Sequence, residues 1–318
     1  MCGIGSIDVS ENEILNFGED VLNILLSDRT TNRNIIWATT DYEHYGEQFK
    51  AHLPINIELI TGKYKDIIQP RVYKEKINQT SRTKDKAEVF TPSWMCNEQN
   101  NLVDKSWFGR DNVFNKTSGH EWISNNDLIV FENKPHKRWQ DYVDILRLEI
   151  TCGEAPYLVS RYDSVSGRPI AVQDRIGLLD RKLRVVCENT TTEKDWIKWT
   201  VRAFQSIYGF EFQGDNLLLA RENLLYTFID YVNYKFNRKP SREELKKIAD
   251  IISWNIWQMD GKHFTVPFES IIPQYTQLSI FDDEIKVDRY CKIKDWRAKK
   301  ILTYASLVQN EQENYREN

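Results

Sequence analysis

Residues 148–162, LEITCGEAPYLVSRY, decide how this chain is interpreted. A strand-like run ends on Glu149, a turn of small residues follows, and the next residues predict a new helix. A tight turn off a strand end lets a ligand approach the backbone, which favours small residues at Gly153 and Ala155, with Cys152 in the same turn. Glu149 is then placed to accept a hydrogen bond or to face the positive end of a cofactor. The alternative is an ordinary strand-to-loop junction, because such a string is short.

Downstream of this stretch the pattern alternates between helix and strand, as in an α/β fold. The most regular helix follows the turn at Gln213, with leucines and aromatic residues at helical spacing. Thr192 is a candidate N-cap, and Ser241–Glu244 reads as a capping box. The predicted helices are 137–145, 193–205, 217–236 and one after Ser241, and the predicted strands are 146–151, 206–212 and 252–259.

Acidic residues follow the ends of the second and third predicted strands. Glu211 is placed to accept both hydroxyls of a ribose, and Asp260 to meet the amino group of an adenine. The simpler readings are a solvated strand-end carboxylate for Glu211 and a turn former before Gly261 for Asp260. Taken in order with Glu149 and Gly153, the acids predict the cofactor half of a class I methyltransferase, which holds S-adenosylmethionine.

The predicted fold is therefore α/β, with a Rossmann-like class I methyltransferase domain and an N-terminal α/β extension. The extension is expected to contain a helix over 13–26 and strands over 34–39 and 55–62. The predicted domain bounds are 1–87 for the extension and a basic linker, 88–262 for the cofactor-binding domain, and 263–318 for a basic tail.

Composition excludes several classes of protein. The chain has 318 residues with 41% hydrophobic and 28% charged residues, which is ordinary for a soluble protein. Neither a membrane span nor a secretory leader is evident, so a cytoplasmic location is expected. Five cysteines without a C-x-x-C pair argue against a disulfide framework and a zinc site, and no metal ligands are predicted. A phosphate-binding loop of the P-loop type is also absent from the sequence.

Positive charge is concentrated in two segments although the net charge is −4. Segments 63–86 and 286–300 each carry a local charge of +5, with aromatic residues interleaved, and either segment can follow a phosphate backbone. The alternatives are a solvated loop and a solvated tail helix. The residues predicted to contact double-stranded DNA are Arg82, Lys84, Lys86, Lys292, Lys294 and Arg297.

The segment Lys86-Ala87-Glu88-Val89-Phe90-Thr91-Pro92 resembles the E-V-F-T-P segment of N6-adenine DNA methyltransferases from restriction-modification systems. Several further strings, including 147–163, 208–225 and 255–261, are similar to proteins named as restriction endonuclease subunit M. The resemblance implies that Phe90, Thr91 and Pro92 pack beside the methionine part of S-adenosylmethionine. It also implies a setting in restriction-modification or phage defence, with a restriction or methyltransferase subunit as a partner. Without the resemblance, the segment is a strand ended by proline.

The sequence departs from that family at the catalytic loop. Adenine methyltransferases use [D/N/S]-P-P-[Y/F/W], in which polar acceptors orient the target amine and the aromatic residue stacks on the flipped base. No P-P dipeptide occurs here. The nearest candidates are Thr265–Phe268 (TVPF) and Thr39–Tyr42 (TTDY), which give Asp41, Pro267 and Phe268 as candidate catalytic residues. Valine at position 266 cannot accept a hydrogen bond.

Chain length adds a second departure, because only 58 residues follow Asp260 and a full catalytic half needs several more strands and helices. The catalytic half is then reduced or completed by a partner. Three hypotheses stay open: an active adenine methyltransferase, a catalytically silent cofactor- or DNA-binding subunit, and an adaptor with an empty turn. The chain lacks the Pro-Cys pair that a cytosine-C5 methyltransferase needs for its nucleophile. A metal nuclease built on Asp260 with Glu284 and Lys286 fits the sequence less well than a methyltransferase does.

Overall fold

The computed structural model describes residues 10–74, 91–132, 134–269 and 289–308. Short 3₁₀ helices follow one another between residues 43 and 73. The α-helices whose full extent lies within the described residues are α1 (Glu11–Phe17), α2 (Glu19–Leu26), α3 (Ser93–Phe108), α4 (Trp139–Asp144), α5 (Leu178–Asn189), α6 (Glu193–Gln205), α7 (Gly214–Phe236) and α8 (Arg242–Asn255), and residues 304–308 are also helical. The strands are β1 (Ser27–Asp28), β2 (Arg33–Asn34), β3 (Asn115–Ser118), β4 (Glu121–Ser124), β5 (Arg147–Glu149), β6 (Ile207–Glu211), β7 (Ile256–Gln258), β8 (Lys292–Asp295) and β9 (Lys300–Thr303).

A parallel sheet of three strands, in the order β5-β6-β7, organises the fold. Glu149 lies opposite Gly209, and Glu211 lies opposite Gln258. Helices α5 and α6 connect β5 to β6, and helices α7 and α8 connect β6 to β7. Parallel strands need such crossovers, and the carboxyl ends of all three strands consequently lie at one edge of the sheet. The α/β class predicted from the sequence is confirmed.

The helices of this sheet form where capping and apolar spacing predict them. Thr192 accepts a hydrogen bond from the backbone N–H of Asp195 and caps α6. The Ser241–Glu244 capping box opens α8 as predicted. Helix α7 is buried along most of its length and runs through the middle of the core. A helix that is buried on nearly all sides must be covered by several neighbours, and here these include α2, α5 and α8.

The N-terminal segment belongs to the same hydrophobic core as the parallel sheet, which extends from Ile14 in α1 to Ile256 in β7. The side chain of Gln258 fixes this segment to the sheet, because its amide accepts from Ile36 N (2.9 Å) and donates to Ile36 O (2.8 Å). Gly214 allows the close approach. A Cβ at that position would collide with the Ile36 carbonyl oxygen, and Gly214 N donates to Trp37 O (2.9 Å).

A second, smaller apolar cluster lies on one face of the sheet. The antiparallel hairpin β8–β9 and its flanking residues cover Phe210 and Trp257, and the ring of Tyr304 lies 5.5 Å from that of Trp257. Tyr208 Oη donates to Lys294 O (2.9 Å) and fixes the hairpin to β6. The alternative interpretation of 286–300 as a solvated tail helix is therefore wrong for the described residues of this segment, which form the hairpin.

Other predicted elements also differ from the structure. The helix expected over 13–26 is divided at Gly18, whose φ of +139° is incompatible with a continuous helix. Segment 34–39 contributes only the end of β2 and one isolated bridge, and 55–62 forms 3₁₀ turns. The residues after Gly153 form turns, and the next α-helix begins at Leu178. None of the described helices is long and apolar enough to cross a membrane.

Candidate functional site

A cavity of about 950 Å³ lies at the carboxyl ends of β5 and β6. Ligands of open parallel sheets bind at this edge of the fold. The sequence-predicted residues that line the cavity are Thr91, Glu149, Cys152, Gly153, Glu211 and Phe268. The structure thus brings residues from four separate stretches of the chain to one cavity.

The turn after β5 is tightly coiled. Thr151, Gly153 and Ala155 have φ values of +48°, +53° and +63°. Cys152 N donates to Phe210 O (2.8 Å), which joins the start of the turn to β6, and Ala155 N donates to Cys152 O (2.7 Å). Left-handed conformations suit glycine and small residues, so the small-residue composition has a local reason. Ala155 is buried beneath the turn and does not line the cavity.

Glu149 closes the turn from the end of β5. Its carboxylate accepts hydrogen bonds from Tyr157 N (3.3 Å) and Leu158 N (3.2 Å). The pKa of Glu149 is raised to about 8, mainly by burial and to a smaller extent by the charge of Glu211, against the opposing effect of these two bonds. Glu149 is therefore a buried carboxyl group that holds its proton at neutral pH unless a positive charge comes near.

Glu211 ties the end of β6 to the same turn. One carboxylate oxygen accepts from Gly153 N (2.9 Å), and the other accepts from Gln213 N (3.1 Å). Burial raises the pKa of Glu211 as well, while these backbone donors act to lower it. Each carboxylate oxygen has two acceptor sites, so both oxygens can accept a further bond from a ligand in the cavity.

The structure describes only the last two residues of the segment that resembles E-V-F-T-P, Thr91 and Pro92. Thr91 lines the cavity, and its carbonyl accepts from Ser164 Oγ (2.7 Å). Pro92 occupies the N-cap position of α3, where a proline needs no N–H partner. Phe90 lies outside the described residues.

Asp260 does not reach the cavity, so its predicted role toward adenine is not supported. Its carboxylate accepts from Lys262 N (2.9 Å) and contacts His263 Nδ1 (2.9 Å), and its backbone N–H donates to Thr265 O. These are the contacts of a turn former, because a short acidic side chain binds the backbone two residues on. Asp260 lies two residues beyond the end of β7 at Gln258, and the cavity lining does not include it.

Of the three candidate catalytic residues, only Phe268 lines the cavity. It has a φ of +66°, its side chain is 58% exposed, and its ring lies 5.8 Å from that of Phe212. Pro267 is buried, and the Val266 side chain packs into the second apolar cluster. Asp41 is not part of the lining, although its neighbour Thr40 is. The Thr265 hydroxyl donates to Glu269 O (3.4 Å), and neither Thr265 nor Val266 lines the cavity. Segment 265–268 therefore presents no polar side chain to the cavity in the way that the adenine methyltransferase loop does.

The sequence prediction missed several lining residues. Ala38 and Thr40 reach the cavity because the N-terminal segment packs on the start of α7, and Gln213 and Asn216 come from that helix start. The position of Gln213 and Asn216 just after Glu211 was a usable signal. Asn100 on α3 was not predictable, because its amide is aligned by Tyr157 O and Ile176 O (both 3.0 Å), which are far away in sequence.

The described residues that are predicted to contact DNA differ in their exposure and in their contacts with the rest of the chain. Lys292 is exposed on β8, whereas the Lys294 ammonium lies 3.9 Å from the ring centroid of Trp296. Arg297 forms an ion pair with Asp144 (2.5 Å). Arg82, Lys84 and Lys86 lie outside the described residues.

Comparison of the chain with protein-family models, with curated proteins and with solved structures finds no match. Within the described part of the chain, no group of three or more histidine, cysteine, aspartate or glutamate residues is placed to hold a metal ion.

The raised pKa of Glu149 predicts a pH-dependent stability. A carboxyl group whose pKa is higher in the folded than in the unfolded state loses its stabilising contribution as pH rises from about 4.5 to about 8. Glu149→Gln removes this titration. The free energy of unfolding of the variant, relative to the wild type, should therefore increase by about 1 kcal/mol or more between pH 5 and pH 9. Urea titrations across this range measure the difference, and parallel pH profiles would show that Glu149 titrates normally.

Proposed function

We propose that the cavity binds S-adenosylmethionine and that the chain is a methyltransferase-like protein of a restriction-modification or phage-defence system. The observation that supports this most is the placement of Glu149 and Glu211. They end neighbouring parallel strands, line one cavity, and hold the glycine turn between them. Buried carboxylates at this position suit a ligand with positive charge and hydroxyl donors.

S-adenosylmethionine carries an ammonium group, a sulfonium group and two ribose hydroxyls. Glu211 has acceptor sites left on both oxygens, which suits the ribose, and Glu149 offers a charge that a nearby cation would stabilise. Phe212 presents an aromatic ring to the same cavity, and Asn216 presents an amide. These two replace Asp260 as the proposed surroundings of the adenine ring. The cavity volume is in the range usual for a ligand of this size.

Methyl transfer to an adenine N6 requires acceptors that orient the amine toward the methyl group. Phe268 is placed to stack on a base, but Val266 is packed into an apolar cluster and offers no acceptor. We therefore favour the silent version of the function, in which the chain binds the cofactor and a partner subunit completes the catalytic loop. The active version requires polar groups elsewhere on the cavity wall, such as Thr40 or Asn100, to take over that role.

Double-stranded DNA is the proposed macromolecular ligand. The support is the basic hairpin β8–β9, where Lys292, Lys299 and Lys300 are exposed. Lys294 and Arg297 already contact Trp296 and Asp144, so they contribute to hairpin stability as well as to the local charge.

Calorimetric titration tests the cofactor proposal. The wild type should bind S-adenosylmethionine, and Gly153→Leu should weaken the affinity at least about 100-fold, because the new side chain strains a left-handed turn at the cavity wall. Gly109→Leu is the matched control. Gly109 also has a positive φ, at the end of α3, but an added Cβ there meets no atom within 4 Å. The two variants should therefore differ sharply in affinity. Equal affinity of Gly153→Leu and wild type would refute the site.

Binding to double-stranded DNA is tested with a mixed-sequence duplex. The purified chain should bind the duplex at low salt, with an affinity that falls steeply as the salt concentration rises. Lys292→Gln should reduce the slope of this salt dependence by about one unit.

A methyl-transfer assay separates a catalytically silent chain from an active methyltransferase. The purified chain should transfer no more than about 1% of the methyl groups that an adenine methyltransferase transfers, since missing acceptors cost about 10²-fold or more in rate. Tritium incorporation and mass spectrometry of the adenines measure this. Robust transfer that Phe268→Ala abolishes would establish the active version, and absence of DNA binding at low salt would remove DNA as the ligand.

A further inference from the structure

The outer edge of β5 has no neighbouring strand within the described residues. Arg147 N donates to Ser206 O (2.9 Å), so the backbone groups of Arg147 point toward β6. In a parallel pair the alternate residues point the other way, and the N–H and C=O groups of Leu148 therefore face the open edge. An open edge of this kind is a template for pairing with another strand.

The side chains along this edge are apolar and exposed. Leu146, Leu148 and Ile150 are 53%, 43% and 64% exposed. Because side chains alternate along a strand, these three lie on one face of the sheet, the face on which hairpin β8–β9 covers Phe210 and Trp257. Among the described residues the hairpin's cover ends before β5, and apolar side chains are left exposed beside the backbone edge of that strand.

The sequence of this edge is complementary to itself when it is reversed. Residues 146–150 read LRLEI. An antiparallel copy centred on Leu148 sets Leu146 opposite Ile150 and Leu148 opposite its counterpart, and it does not set the two Arg147 side chains opposite each other. An in-register parallel copy would instead set Arg147 beside Arg147, which is unfavourable.

We propose that a second copy of this chain docks here, with the two β5 strands paired antiparallel about a two-fold axis at Leu148. The outward backbone groups make Leu148 and its counterpart a hydrogen-bonded pair, and the three apolar side chains of each copy meet in one strip. Two such three-stranded sheets become one six-stranded sheet. The pairing also affects the cavity, because Leu148 and Ile150 line it and Leu146 of the second copy comes to lie beside Ile150 at its rim.

Sedimentation velocity on the full chain, without any cofactor, tests the association independently of the proposed function. The wild type should be a dimer at micromolar concentration, and Leu148→Lys should be a monomer with an unchanged circular dichroism spectrum, because two ammonium groups would meet at the axis. Ile123→Lys is the matched control, since Ile123 is an exposed apolar residue on β4. It should remain dimeric. A wild type that stays monomeric up to high micromolar concentration, or a dimer that Leu148→Lys leaves intact, would overturn the proposal.

Cross-linking tests the register. Paired residues at the two-fold axis have Cα atoms about 5.5 Å apart, so Leu148→Cys should be joined to its counterpart by a short bis-maleimide. Wild type and Ile123→Cys, treated in the same way, should give only background amounts of linked dimer. Equal linking of Leu148→Cys and Ile123→Cys would contradict the antiparallel arrangement.

Discussion

The hydrogen bond between Gly153 N and a carboxylate oxygen of Glu211 is the contact on which the site depends. Two carboxyl groups are buried at the ends of neighbouring strands, and a buried carboxylate is costly unless donors reach it. The backbone of the glycine turn supplies these donors, with Gly153 bonding to Glu211 and residues 157 and 158 bonding to Glu149. The hydrogen bonds to Glu149 and Glu211 therefore stabilise the conformation of the turn, and the same bonds allow both carboxyl groups to be buried. This mutual requirement explains why the stretch after β5 coils tightly where the sequence pattern predicted a helix.

The N-terminal segment and the parallel sheet are joined by a second polar contact of the same kind. Gln258, at the end of β7, pairs with both backbone groups of Ile36, and the missing side chain of Gly214 lets the segment lie against the start of α7. This packing brings Ala38 and Thr40 to the cavity wall. The cavity is thus built from the N-terminal segment together with the parallel sheet. A ligand bound there would contact both regions at once.

The sequence predicted the parts of the fold that depend on local chemistry. Helix α7 and the caps at Thr192 and Ser241 follow from apolar spacing and from side chains that satisfy helix ends, so they were predictable. The convergence of Glu149 with Glu211 followed from the carboxyl-end rule for parallel strands, whereas the order of the strands in the sheet was not predicted. Segment 55–62 was misjudged because an apolar run of a few residues fits a strand or a 3₁₀ turn equally well. Asp260 lies outside the cavity lining, and its carboxylate accepts local hydrogen bonds from the backbone of Lys262 and His263, a turn that the sequence could not distinguish from a ligand contact.

The sequence of hairpin β8–β9 contains the alternating pattern of a strand, although no strand was predicted there. Cys291 and Ile293 are buried with exposed Lys292 between them, which is the period-two pattern of a strand. The density of lysine and arginine instead led to two interpretations of the segment, a DNA contact and a solvated tail helix. In the structure the basic residues occupy the outer surface of the hairpin while its apolar residues cover the sheet.

Proton release on cofactor binding tests the central claim, that two buried carboxyl groups form the ligand site. With its pKa raised to about 8, Glu149 is largely protonated at pH 7, and a bound cation favours the ionised form. Calorimetric titration with S-adenosylmethionine at pH 7, in buffers of different ionisation enthalpy, should show release approaching about one proton per ligand in the wild type. Glu149→Gln should release much less, because only Glu211 is then left to ionise. Binding without proton release in the wild type, or equal release by the variant, would contradict the account.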